Sequence, residues 1–250
     1  MITIKNDREI ELMRQAGLLV SKMHKFIKPY IKEGITTKEL DSLCEKFIIE
    51  NNAVPTEKGY EGYPASICAS VNDTVVHGIP NNYKLKNGDI ITIDVVIGYK
   101  GYQGDAAWTY AVGEIDDNKK YLMEHTEKAL YEGIKMIKPG NRIGDISNAV
   151  ETYANEHNLG VVRELCGHGI GADMHEDPMV PNFGKPGVGP RLKPGMVICV
   201  EPMLTFGDRH VYILNDDWTI KTQDGSDAAH YEHTVLVTED GYEILTPRLD

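Results

Sequence analysis

Ten residues of this chain occur twice. Leu85-Lys86-Asn87-Gly88-Asp89-Ile90-Ile91-Thr92-Ile93-Asp94 returns as Leu192-Lys193-Pro194-Gly195-Met196-Val197-Ile198-Cys199-Val200-Glu201. In each copy a glycine turn leads into an apolar, β-branched run, which is a strand signal, and the run closes on a carboxylate. A second echo keeps nearly the same offset: Ile31-Lys32-Glu33-Gly34-Ile35-Thr36-Thr37-Lys38-Glu39-Leu40 matches Ile137-Lys138-Pro139-Gly140-Asn141-Arg142-Ile143-Gly144-Asp145-Ile146. The order helix, helix, strand therefore runs twice. A period of roughly a hundred residues is too long for a solenoid repeat, so the expected architecture is two half-domains related by a pseudo-twofold axis. The expected boundary lies near residue 115, within a single domain spanning 1–250. The two matching acids then meet near the axis.

Each half carries another acid on what reads as the return strand: Asp105 after Gly101-Tyr102-Gln103-Gly104, and Glu232 within Tyr231-Glu232-His233-Thr234-Val235-Leu236-Val237. A short glycine-bearing connection between the Asp94 and Asp105 strands allows antiparallel pairing with both carboxylates on one face. Four converging carboxylates cannot all remain ionised unaided, and a metal centre is the usual way to hold them.

Composition narrows the class further. Net charge is −12, which argues against a generic affinity for nucleic acid or anionic membrane. Lys22, Lys25, Lys28 and Lys32 form a local basic stripe, read as a solvated helix face. The charged residues of Met1 to Ile10 stand where a signal peptide needs an apolar core, and no window reaches transmembrane length, so a cytoplasmic location is expected. Cys44, Cys68, Cys166 and Cys199 are widely spaced with no C-x-x-C, which suggests buried thiols rather than a disulfide framework or zinc knuckle.

Helical periodicity covers residues 7–30, ending near Pro29. A capping signal at Thr36 or Thr37 with Glu39 opens a second helix to about Asn51, and 141–157 reads as its counterpart. Strands are predicted around 66–70, 75–77, 89–98, 105–113, 161–165, 196–203, 210–214 and 231–238. The fold class is α+β, a curved and largely antiparallel sheet carrying helices on one face.

Gly167-His168-Gly169-Ile170-Gly171 sets an imidazole among glycines, where the backbone must turn sharply or let something approach. The segment 167–172 also satisfies G-x-G-x-x-A. That fingerprint needs a helix immediately afterwards, and His175-Glu176-Asp177-Pro178 opposes one. Neither G-x-S-x-G, H-E-x-x-H nor a phosphate-binding G-x-x-x-x-G-K occurs. Four carboxylates and one imidazole suit two divalent ions such as Mn, Fe, Co or Zn, roughly 3.5–4 Å apart. His77 and His175 are the candidate donors to a developing oxyanion.

Taken together, Gly59-Tyr60-Glu61-Gly62-Tyr63-Pro64-Ala65-Ser66-Ile67-Cys68, Asn72, Val76-His77-Gly78-Ile79-Pro80, Asp94, Asp105, the Gly167–Gly171 segment, Glu201-Pro202 and Tyr231-Glu232-His233-Thr234 closely resemble the type I methionine aminopeptidases of the pitta-bread metallopeptidase fold. The resemblance extends over essentially the whole chain. It implies metal ligation by Asp94, Asp105, His168, Glu201 and Glu232, with Asp105 and Glu232 bridging two ions, and it admits a monovalent cation besides. It implies a hydroxide bridging the two metals as nucleophile, Glu201 as proton shuttle, His175 stabilising the tetrahedral intermediate, and His77 touching the substrate backbone. Tyr60, Tyr63, Cys68, His77, Met174 and Trp218 would surround the methionine side chain, with His175 also in contact with substrate. The implied reaction is removal of an N-terminal methionine from peptides and nascent chains when the second residue is small, by a compact bacterial-type enzyme whose encounter with ribosomes, if any, would rely on the catalytic domain. A monomer is expected because no apolar surface stripe lacks a core role.

Three departures bear on substrate preference: Met174 stands where an aromatic is common, Glu57-Lys58 where less charged residues are usual, and His230 where Gln is frequent. The rival readings are an Xaa-Pro peptidase on the same fold and a binding protein that has lost catalysis.

Overall fold

The computed structural model describes residues 1–249. Helix α1 spans Asp7–Ile27 and opens on a capping box, in which Asn6 accepts from the Glu9 backbone and Glu9 reaches back to the Asn6 backbone. Its apolar positions recur at three and four residues, so Met13, Ala16, Val20, Met23 and Ile27 form one fully buried stripe. Pro29 lies in the short 3₁₀ turn that ends it. Helix α2, Thr37–Glu50, is capped in the same way by Thr36 and Glu39. The lysine stripe on and just beyond α1 faces solvent, as expected.

Helix α3, Asp117–Ile134, fills the place that the duplication demands, although its own residues carry only a weak periodic signal. Its apolar face is diluted by Lys119, Lys120, Glu124 and Lys128, and its buried contacts reduce to Leu122, Ala129, Leu130 and Ile134 with two small neighbours. Helix α4, Ile143–Glu156, matches the predicted counterpart of α2.

Each half has its own apolar core. Residues of α1 and α2 cover the first-half strands through Ile27, Leu40, Ile48, Ile91, Ile93 and Ile97. Residues of α3 and α4 cover the second-half strands through Leu130, Ile134, Ile146, Val150, Ile198 and Val235. At about 1.5–3 kcal/mol for each large aliphatic removed from water, these two layers are the main stabilising element of the fold.

All strand pairings are antiparallel. The first half is dominated by the hairpin Ile90–Tyr99 and Tyr102–Ala111, closed by Lys100-Gly101, both at positive φ. The second half departs from the predicted continuous strands. The run over 196–203 breaks at Glu201-Pro202, where Pro202 has no N–H for the ladder. The strand predicted over 231–238 forms from His233 to Val237, and Tyr231-Glu232 makes a break between it and the unpredicted strand Ala228–His230. At both breaks the chain crosses between sheets: Val197–Val200 and His233–Val237 belong to a five-stranded sheet, Met203–Thr205 and Ala228–His230 to a three-stranded one.

The halves are joined along a seam where Tyr102–Ala111 runs beside residues 230–234. The Thr234 hydroxyl receives the Asp105 N–H at 3.0 Å and donates to the Asp105 carbonyl at 2.8 Å. Two residues along, the Glu232 N–H donates to the Ala107 carbonyl at 2.8 Å. Two further, the Thr109 hydroxyl receives the His230 N–H and donates to its carbonyl.

Candidate metal centre

In the hairpin, Asp94 lies opposite Ala107 and Asp105 opposite Val96. Opposed residues share a face, so the two aspartates are diagonal neighbours on the same side of the sheet. Glu232 is brought against them by the seam, and Glu201 follows Val200, which pairs with His233 beside Glu232. The four acids predicted from the duplicated pattern therefore meet in one place. They open, with every other predicted site residue, into one cavity of about 700 Å³.

His168 lies not on a sharp turn but on a short strand, Gly167–Gly169, between the Val197–Val200 and Glu176–Val180 strands. The glycines are there because neighbouring backbone comes close: a Cβ on Gly167 would sit 2.3 Å from the Cys199 carbonyl oxygen, and one on Gly169 2.1 Å from that of Asp177. His168 Nδ1 donates to the Gly169 carbonyl at 2.9 Å, which leaves Nε2 as the bare lone pair facing the carboxylates. Nε2 stands 3.6 Å from Asp105 Oδ2 and 3.5 Å from Glu201 Oε1.

The electrostatics of this cluster are unfavourable without a cation. Burial, then the charges of Glu232, Asp94 and Glu201, pushes the Asp105 carboxyl well above the usual range. Glu232 is raised by burial and by Glu201 and Asp94, and Glu201 by burial and Asp94. Among the described residues no Lys or Arg pairs with any of the four. Asp105 Oδ1 and Glu232 Oε1 are buried with no hydrogen-bond partner. Orphaned carboxylate oxygens beside a bare imidazole nitrogen fit a divalent metal. Donor atoms of Asp105, His168, Cys199 and Glu232 lie within 4.8 Å of one another, as do those of Glu201, His230 and Glu232.

The rim supplies the auxiliary imidazoles. His175 Nδ1 is 3.0 Å from the Tyr60 hydroxyl, and its ring meets that of His168 edge-on at 4.4 Å. Burial, with His230 and His175 nearby, lowers the His77 pKa to about 4, so this ring is neutral at physiological pH. His77 holds a φ of 56°, a conformation unusual for a residue with a side chain, beside Trp218. Tyr63 packs edge-on against Trp218 at 5.0 Å and donates to the Ile67 carbonyl, so the wall next to Cys68 is rigid and apolar.

Two cavity residues that spacing alone does not place at the centre are Glu57 and His230. In the sequence both stand out only as departures from the resembled pattern. Glu57 is buried, with its Oε2 3.5 Å from the Cys68 thiol. His230 stands 3.5 Å from Glu201 Oε2. Cys166, half-buried, is a third such residue, and no signal in the sequence distinguishes it from the other thiols.

Residues 11–239 match metallopeptidase family M24. The chain is 52% identical over 246 residues to methionine aminopeptidase 1 of Bacillus subtilis strain 168, covering 98% of this chain and 99% of the relative. The crystal structure of methionine aminopeptidase from Rickettsia prowazekii superposes with a TM-score of 0.98 at 43% identity, over 99% of this chain and 100% of that one. A prolidase from Pyrococcus horikoshii shares the fold with a TM-score of 0.80 at 22% identity, and there the chain covers only 64% of the larger protein. With the family match spanning nearly the whole chain and the acids and imidazoles gathered in one cavity, the protein belongs to metallopeptidase family M24.

Proposed function

We propose that this protein removes N-terminal methionine from peptides and nascent chains in the cytoplasm, with preference for a small second residue. The observation that carries the reading is the pairing of a cation-deficient carboxylate cluster with a rigid apolar wall in one cavity. Asp94, Asp105, His168, Glu201 and Glu232 would hold two divalent ions. When bound, such ions acidify a water toward neutrality and anchor a free amine, which restricts cleavage to the first peptide bond.

The chain's own groups account for proton movement and orientation. Glu201 faces the cavity, where its carboxylate would take a proton from the attacking water and return it to the leaving nitrogen. With the Tyr60 hydroxyl donating to His175 Nδ1, Nε2–H would be free to donate, and burial lowers the pKa of that ring, which favours the neutral form and suits a donor to a developing oxyanion. His77 would contact the substrate backbone. Tyr63, Cys68, Met174 and Trp218 supply polarisable and aromatic surface for a flexible thioether.

The test is release of free methionine from Met-Ala-Ser by metal-stripped protein, before and after addition of Mn, Fe(II), Co or Zn, beside Leu-Ala-Ser and Ala-Pro. Metal-dependent release from Met-Ala-Ser alone is expected. Cleavage of Ala-Pro would assign the proline-specific branch, and inertness with metal bound would assign a binding role.

A further inference from the structure

His230 is 1% exposed, and neither of its ring nitrogens has a hydrogen-bond partner among the described residues. A fully buried imidazole with both nitrogens idle is costly unless something absent from the protein chain engages one of them. Its backbone is held on both sides. The N–H and carbonyl are bonded through the Thr109 hydroxyl, and the residue pairs with Met203, two positions beyond Glu201. The backbone is thus fixed where the buried ring lines the cavity.

We propose that His230 is an additional metal ligand, joining Glu201 and Glu232 on one ion of the pair. His230 Nε2 lies 3.5 Å from Glu201 Oε2, long for a hydrogen bond. About 3.5 Å is the separation of two donors that each stand roughly 2.0–2.2 Å from a shared ion at a near-tetrahedral angle. His168 repeats the spacing on the other oxygen, 3.5 Å from Glu201 Oε1. Glu201 is therefore flanked by two imidazoles, one on each oxygen, in matching relation. Donors of Glu201, His230 and Glu232 form one ion-sized group and those of Asp105, His168 and Glu232 belong to another, with Glu232 common to both. A carboxylate common to two groups of donors fits a pair of adjacent ions. An added imidazole nitrogen donor shifts preference away from Mn(II) and toward Co(II), Fe(II) or Zn(II).

This inference rests on the two-metal reading of the cavity, and the experiment separates the two. Metal-stripped wild type and His230→Gln are titrated with Co(II), and bound metal and the visible ligand-field spectrum are recorded together. Wild type is expected to bind two equivalents. In His230→Gln one of the two should weaken by at least about tenfold with an altered spectrum, and the Co(II)-to-Mn(II) affinity ratio should fall. Two equivalents bound with the same affinity and spectrum in both proteins would overturn the assignment of His230 and leave the metal centre standing. An altered pH profile of turnover with unchanged Co(II) binding would also overturn it, making His230 a positioning residue for Glu201. Fewer than two equivalents in wild type would defeat both readings. Because the substitution could perturb folding, pulsed EPR of the Mn(II)-loaded wild type provides a second readout. Two inequivalent coordinated imidazole nitrogens are expected, and one alone would contradict the proposal.

Discussion

In the first half of the molecule, Asp94 and Asp105 stand inside an unbroken hairpin of ten paired positions, whereas in the second half Glu201 and Glu232 stand where strands end and cross between sheets. The same duplicated pattern thus produces two kinds of support. The aspartates are positioned by a backbone ladder that any well-packed hairpin would form. The glutamates are positioned by Pro202, by the Glu232–Ala107 backbone bond and by the Thr234 and Thr109 hydroxyls, all specific to the meeting of the halves. In place of the tight Lys100-Gly101 connection, the irregular half has the long segment 203–230, which brings Trp218 and His230 to the cavity. Regularity in one copy fixes a frame, and irregularity in the other aims donors into it.

The comparison breaks most visibly at the acids themselves. Asp105→Ala and Glu232→Ala should each lower methionine release by about 10³-fold or more, with loss of retained metal by elemental analysis, because each removes a donor shared by the cluster. Equal metal retention in either variant would remove that residue from the centre. His175→Ala should cost about 10²–10³-fold in kcat while metal content is unchanged, the signature of a lost oxyanion donor.

Stability tests then weigh the seam against the ladder. Thr234→Val removes a hydroxyl that serves both the N–H and the carbonyl of Asp105, and chemical denaturation of the metal-free protein should show a loss of about 1–3 kcal/mol. Thr36→Ala, which removes the cap of α2 in the regular half, should cost about 1 kcal/mol by the same measurement. No measurable loss in Thr234→Val beside a normal cost for Thr36→Ala would contradict the specific role given to the seam.

The pH dependence sharpens the electrostatic side. The Glu232 carboxyl is raised in the folded, metal-free protein, so its contribution to stability is present below the ordinary carboxylate range and is lost as pH rises through the raised value. Glu232→Gln abolishes that loss. Metal-free Glu232→Gln should therefore gain on wild type in melting temperature between about pH 5 and pH 8, and Mn(II) should reverse the order by favouring wild type. The difference between the two proteins is the quantity to follow, because buried His24 and His233, whose pKa values are depressed to about 3, titrate equally in both.

The regular half is the more legible in the sequence, and the reason is physical. Apolar, β-branched runs and a short glycine-bearing connection specify a hairpin locally, so the pattern of residues allows Asp94 and Asp105 on one face. Thr36 with Glu39 and Asn141 to His157 similarly announce helices through local caps and periodicity. The break at Glu201-Pro202 is local in cause, since Pro202 lacks the N–H, but the apolar run around it reads as one strand. The placing of Tyr231-Glu232 outside the ladder depends on the backbone bond to Ala107 across the seam, which no local window contains. The glycines of the Gly167–Gly171 segment leave open either a sharp turn or a close approach. The approach is what occurs, Gly167 and Gly169 making room for the Cys199 and Asp177 backbone, and which segments approach is a tertiary matter that the sequence does not announce. His230 and Glu57 give no periodic or spacing signal, and only their departure from the resembled pattern marks them.

The most direct test of the central claim, that the seam between the halves is a metal centre working as an aminopeptidase site, is one titration of the metal-stripped protein with Mn(II) or Co(II). Bound metal and methionine release from Met-Ala-Ser are measured in the same samples. The account predicts no release without metal, release that rises with occupancy, and saturation at two bound equivalents. Release from protein free of metal, or full occupancy with no release of methionine, would contradict it.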